Sequence, residues 1–368
     1  MSDLAVVSKW VDAQWAATRS VCVDGIAELA KASEAATSEV GPAACGPAVA
    51  RLLGRDANGR FRVEIAVPVP RAVVVDGFDL HEIPGDHVLA TTHVGAHVGD
   101  GEDEGLGAAA QRLWGFVAEK RLLAGDNPTR YVFLEGRETH GDALDRYRTE
   151  IQVSYHLPVW LNALKQGVTD AVGERAATTV IAGSDEVAAS FDAEEIRGFV
   201  LGAVGRVDEL PVDAAKRACL LQDCAHRYPR LQLDRLRAAY DEIGDLRRFI
   251  DRLATDKALF PGKIWLDEGG PTPVVYIQRA VPPWNREAYD ATDDPVMKRY
   301  HACFCSMVRD AIRTGEPVSE AFCNCSGGWF VQMWQAILDR RLRIDVVESV
   351  LRGDDRCLFA IHIPPQLL

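Results

Sequence analysis

The strongest constraint in this 368-residue chain is an internal repeat: three features recur in the same order with a period of about 85 residues. The first copy opens on the extended run WAATRSVCV, passes into a helical stretch around Ile26, Leu29 and Ala30, turns at Gly41-Pro42 and closes on FRVEIAVPV. The second opens on DLHEIPGDHVLATTHVG, passes into a helix with apolar positions Leu106, Ala109, Leu113, Phe116 and Val117, turns at Gly125-Asp126 and closes on YRTEIQVSY. The closing strands Arg62-Val63-Glu64-Ile65 and Arg148-Thr149-Glu150-Ile151 differ at a single site. A period of two puts Val63, Ile65 and Val67 on one face and Glu64 and Ala66 on the other. Each copy thus carries one glutamate away from its main apolar row.

The length asks for more than one core. With 48% hydrophobic and 26% charged residues the composition is that of a folded protein, and no apolar run approaches the roughly 20 residues that span a bilayer. The start, MSDLAVVSKWVDAQW, has no apolar stretch behind a basic cluster, so a cytoplasmic location is expected. Nine cysteines, an odd number, are then expected as thiols or metal ligands rather than disulfides. A formal charge of -13 opposes attraction to phosphate backbones, so neither nucleic acid nor membrane is an expected partner. Oligomerisation is left open.

Residues 12–158 resemble the GyrI-like domain, the effector-binding domain of multidrug-sensing regulators, through the duplicated pattern, HEIPGDHV, HVGAH, the helix AAAQRLWGF and TEIQV. The resemblance implies two strand-helix-strand-strand modules side by side and a cleft for a small organic molecule, cationic or amphipathic. It makes Glu150 the ligand-facing carboxylate, with Glu64 as its symmetry mate. A carboxylate among apolar walls is costly unless a cation, a donor or a proton compensates it, so such a group attracts cations or has a raised pKa. Trp114 and Tyr147 are the aromatic candidates beside it. Some GyrI-like proteins use the cleft glutamate to open electrophilic rings; on that hydrolase reading Glu150 is the general base and Tyr147 or Trp114 assists. His93 and His97 have the i, i+4 spacing of a metal pair on a helix, but Gly95 and the strand context argue against one.

From Leu161 to about Pro261 the apolar spacing turns helical and reads as two to four helices. LLQDC places Cys219 and Cys224 there, and PGKIWLDEGGPTP returns the chain to strands. Seven of the nine cysteines follow residue 218, among them Cys303, Cys305, Cys323, Cys325 and Cys357. Four converging sulfurs would suit zinc, although C-x-C is less diagnostic than paired C-x-x-C; buried structural thiols and redox or nucleophilic chemistry are the alternatives. The stretch CNCSGGW, the helix FVQMWQAILDR, the strand IDVVESVL, the turn RGDD and CLFAIHI resemble the C-terminal part of a 4-vinyl-reductase-type domain, and the region also resembles cysteine-rich hydrolase-like domains. The first resemblance implies a zinc held by Cys323 or Cys325 and by Cys357, but Ser349 stands where a middle thiolate is expected. Cys303 or Cys305, with His301, could supply the missing ligand. The expected architecture is α+β: a duplicated GyrI-like domain over 1–160, a helical connector over 161–260 and a cysteine-rich α/β domain over 261–368.

Overall fold

The computed structural model describes residues 5–25, 27–56, 58–71, 73–83, 85–95, 105–120, 122, 129–138, 146–305 and 307–368. The architecture is α+β, and the chain divides into two compact units, Met1–His156 and Leu157–Leu368.

The first unit is one antiparallel sheet carrying two helices. Its strands are β1 (Val7–Val11), β2 (Gln14–Val23), β3 (Val49–Arg55), β4 (Phe61–Pro68), β5 (Asp79–Ile83), β6 (Asp86–Gly95), β7 (Arg130–Glu138) and β8 (Arg146–Ser154). They lie in the order β1-β6-β8-β7-β3-β4-β2-β5, with α1 (Ala27–Val40) and α2 (Gly105–Glu119) between the first and second strands of each copy. The sequence repeat is therefore a repeat of structure, β2-α1-β3-β4 followed by β6-α2-β7-β8. The copies meet at β3 and β7, where buried Ala50 lies opposite buried Tyr131. Ser20 faces Glu64 across β2 and β4, as Thr92 faces Glu150 across β6 and β8.

The leading strands are exchanged. Strand β1 runs into β2 but pairs with β6 of the other copy, and β5 runs into β6 but pairs with β2. Each copy thereby covers an edge the other would expose, and an uncovered edge invites association with other chains. The sequence pattern shows DLHEIPGDHVLATTHVG as one strand and nothing at Val7–Val11. The structure makes two strands of the former and finds their counterpart, β1 and β2, in the first copy. Alternation holds as expected: Val63, Ile65 and Val67 are fully buried on one face, each contributing about 1.5–3 kcal/mol.

The second unit begins with helices α3 (His156–Val172), α4 (Glu174–Val180), α5 (Ser184–Ser190), α6 (Ala193–Asp208), α7 (Ala214–Asp223), α8 (Arg230–Ile243) and α9 (Leu246–Thr255). That exceeds the two to four expected because glycines break apolar runs that look continuous. LDRLRAAYDEIGDLRRFIDRLATD is two helices: Gly244 takes φ 65 at the C-cap of α8, and the Asp245 carboxylate accepts from Arg248 N at the start of α9.

Strands β9 (Lys263–Asp267), β10 (Val274–Gln278), β11 (Ile344–Glu348) and β12 (Leu358–His362) form a second antiparallel sheet in the order β11-β12-β10-β9. Short helices α10 (Arg286–Asp290), α11 (Pro295–Ala302) and α12 (Arg309–Thr314) precede α13 (Asn324–Leu338). The core joins Trp334 and Ile337 of α13 to Phe249 and Leu253 of α9 and to Val275, Ile277, Phe359 and Ile361 of the sheet. No helix among the described residues is long and apolar enough to cross a membrane.

Candidate functional site

In the first unit the two glutamates share a sheet face. Glu64 lies opposite Arg51, and two residues along the strands Ala66 lies opposite Val49, which in turn faces Val132, the cross-strand neighbour of Glu150. Beside the carboxylates lies a buried apolar patch: Val49, Ala66 and Val132 on the strands from β7 to β4, and Ala16 and Ile83 on β2 and β5 beyond them. Both glutamate side chains are mostly buried, Glu150 at 12% exposure and Glu64 at 16%.

Their partners differ, and the difference follows from the repeat. Glu64 is ion-paired with Arg51, itself only 14% exposed, and His81 Nε2 lies 3.7 Å from its other oxygen. The position on β7 equivalent to Arg51 is Val132, which offers Glu150 no charge. Glu150 instead accepts from Lys9 Nζ at 2.7 Å and from Gln152 Nε2 at 2.6 Å. Lys9 sits opposite Val88 on the exchanged strand β1, as His81 sits opposite Ala16 on β5, so each leading strand brings a nitrogen base to a glutamate. The Lys9 side chain is 41% exposed on a flexible stem, whereas the Arg51 pair is shielded. Glu64 is locked, and Glu150 is held by an ammonium that can leave.

Trp114 is 42% exposed on α2, next to the buried Leu113, and is not on the strand face that carries Glu150. Tyr147 lies opposite Gly95 in the sheet, and its side chain falls outside the described residues. So does His97, while His93 is a strand residue opposite Thr149. Tyr131 is buried, and burial pushes its phenol up to about 12. Lys9, Arg51, His81 and Gln152 carry no spacing signal of their own; only the pairing register brings them to the carboxylates.

In the second unit, four of the five candidate cysteines line one narrow cavity: Cys303 and Cys305 on the segment after α11, Cys323 just before α13, and Cys357 just before β12. Cys325, two residues beyond Cys323, is buried and is not in that lining, with its sulfur 3.8 Å from the Cys224 carbonyl. Ser349 completes the wall, its Oγ 2.9 Å from Cys323 Sγ. Arg279, which follows β10, lies in the same lining. Its guanidinium sits 3.8 Å from the Phe304 ring centre and within 6.0 Å of Trp329 and Phe330. Nothing in the spacing of YIQRA points to it.

Burial dominates the electrostatics. It pushes the Cys305 thiol up to about 11 and Cys323 to about 12, in the second case with help from Cys357, and raises Cys303 and Cys357 as well. Desolvation lowers the pKa of Arg279. His301 packs edge-on against Tyr300 and is not in the lining. A four-thiolate zinc needs converging deprotonated sulfurs. Here Ser349 and the Arg279 guanidinium share the wall with the four sulfurs. Among the described residues no group of three or more His, Cys, Asp or Glu is arranged to hold an ion.

No protein-family model matches the chain, and no curated protein sequence is similar to it. Similarity is found with solved structures, each covering 41% of this chain. The EcmrR C-terminal domain is 20% identical, with 97% of that chain covered and a TM-score of 0.33. EcmrR in its complex with DNA is 17% identical, with 57% of that chain covered and a TM-score of 0.33. SAV2435 bound to tetraphenylphosphonium is 11% identical, with 94% of that chain covered and a TM-score of 0.28.

Proposed function

We propose that the first unit is a small-molecule-binding domain of the GyrI-like, effector-binding type, and that it takes an amphipathic organic cation against Glu150. The supporting observation is the asymmetry between the two glutamates. Both sit on one face beside an apolar patch, but Glu64 keeps the shielded Arg51 guanidinium whatever happens at His81, whereas the cation at Glu150 is the exposed Lys9 alone. A ligand cation replaces the Lys9 ammonium at the Glu150 carboxylate. Exchanging one cation for another avoids leaving a buried carboxylate uncompensated, the costly alternative.

Tetraphenylphosphonium, the ligand of SAV2435, is the probe for this reading. Calorimetric titration should show saturable binding, weakened about tenfold by Glu150→Gln, which removes the charge and keeps the shape. Lys9→Met should tighten binding a few-fold because the competing ammonium is gone. Equal affinity in the parent and Glu150→Gln chains would exclude Glu150 as the recognition group, and absence of binding in the parent would exclude this cation class.

A further inference from the structure

The helices that open the second unit frame a hollow large enough for a small molecule. Gly173 takes φ 116, which favours glycine, so the chain turns sharply between α3 and α4 and α4 packs against α6. Val172 at the end of α3, Ala176 and Val180 on α4 and Leu210 just after α6 line an open space of ≈ 470 Å³. Sites for small organic molecules span roughly 300–1,000 Å³ and are lined mainly by apolar groups. Val180 and Leu210 are already buried, whereas Val172 is 37% exposed and Ala176 half-buried, so apolar surface is left facing the hollow.

Two arginines share the lining, Arg175 in the first turn of α4 and Arg206 in the last turn of α6. Carboxylates compensate other arginines of this unit: Asp241 and Asp339 for Arg237, Glu268 for Arg247 and Glu348 for Arg356. Among the described residues Arg175 and Arg206 have no ion pair. The places three and four residues on, from which a carboxylate on the same helix would reach, hold Thr178 and Thr179 after Arg175 and Glu209 and Leu210 after Arg206. Glu209 also lines the hollow and pairs with neither arginine, so two positive charges face one negative. Arg206 Nε donates to the Val180 carbonyl at 2.9 Å, which fixes the guanidinium at the end of α4, while its buried Nη2 has no partner among the described residues. The position of this charge is set by the fold, and its compensation is not.

We propose that the hollow is a binding site for a small amphipathic carboxylate, held by Arg175 and Arg206 with its apolar body against Val172 and Ala176. A guanidinium presents a planar fork of donors that a carboxylate matches with two parallel hydrogen bonds, so the pair selects for that headgroup beyond its charge. The site lies wholly within the second unit and is independent of the cation reading of the first.

Octanoate, titrated calorimetrically into the full chain below its micelle concentration, is the probe. It should bind saturably, one per chain. Octanamide keeps the body and loses the charge, acetate keeps the charge and loses the body, and each should bind at least about tenfold more weakly. Arg175→Gln should weaken octanoate by about tenfold. That side chain is exposed and makes no hydrogen bond or ion pair among the described residues, so its replacement leaves the packing intact. Ala176→Phe fills the hollow, keeps both arginines and should weaken binding at least as much.

A reading on the unaltered chain needs no variant. Octanoate should slow the modification of Arg175 by phenylglyoxal, followed by mass spectrometry, and leave Arg343, 73% exposed elsewhere in this unit, unchanged. No saturable binding by the parent chain, equal affinity for octanoate and octanamide, an affinity unaltered in Arg175→Gln or in Ala176→Phe, or protection that does not distinguish Arg175 from Arg343 would each overturn the proposal.

Discussion

A Gly328→Ala chain should lose about 3 kcal/mol of stability in its second unit, seen as a fall in melting temperature of roughly 10 °C. Gly328 lies in α13 where that helix crosses α7, and a Cβ built on it would come within 1.9 Å of the Gln222 carbonyl oxygen and 2.6 Å of Ala225 Cβ. The first obstacle is backbone, so no side-chain rotation relieves it and the helices must separate. Separation would strain the contacts the crossing supports: Gln222 Nε2 to the Ile344 carbonyl at 2.8 Å, and Gln332 Nε2 to the His226 carbonyl at 2.6 Å. Gly198→Ala is the control. It sits inside α6 with open space around it, so the same substitution should stabilise by about 0.5–1 kcal/mol through helix propensity. If the two variants melt alike, the close crossing of α7 and α13 is wrong.

The second large effect is a loss of stability in mild acid. His226, just after α7, has its pKa pushed down to about 4, chiefly by burial and secondly by the positive charge of Arg279. In the unfolded chain the same imidazole titrates near 6.5. Above that pH it is neutral in both states and contributes no pH dependence. As pH falls below 6.5 the unfolded state takes up the proton first, so stability declines, and the decline from this group levels off below about pH 4. The difference between those values corresponds to a loss of up to about 3 kcal/mol, reduced by whatever solvent reaches the ring. Urea unfolding between pH 7 and 4.5, largely above the carboxylate range, should show the slope in the parent chain and a flatter line in His226→Gln. An unchanged slope in the variant would assign the effect elsewhere.

Much of the first unit is legible in the sequence because its repeat is covalent and local. RVEI and RTEI alternate with a strand period, and alternation alone separates Glu64 and Glu150 from the apolar rows. The helical connector is read less well, since short helices such as α4 and α5 carry too few apolar positions to show a period, and the break at Gly244 lies inside a run that stays amphipathic on both sides.

What the sequence by itself determined is the duplication, the α+β class, the glutamate in each closing strand and the clustering of cysteines near the C-terminus. Only the tertiary structure decided what those groups meet. The exchange of β1 and β5 between the copies brings Lys9 to Glu150 and His81 to Glu64 across long stretches of chain, and makes the two glutamates unequal because Val132 replaces Arg51. The cavity likewise sets Arg279 among four cysteines drawn from three separate segments. Periodicity reports which face of an element is buried; it carries no record of which distant element lies against that face. Charge compensation depends on that distant element, and so the partners of Glu150 and Glu64 became visible only in the folded chain.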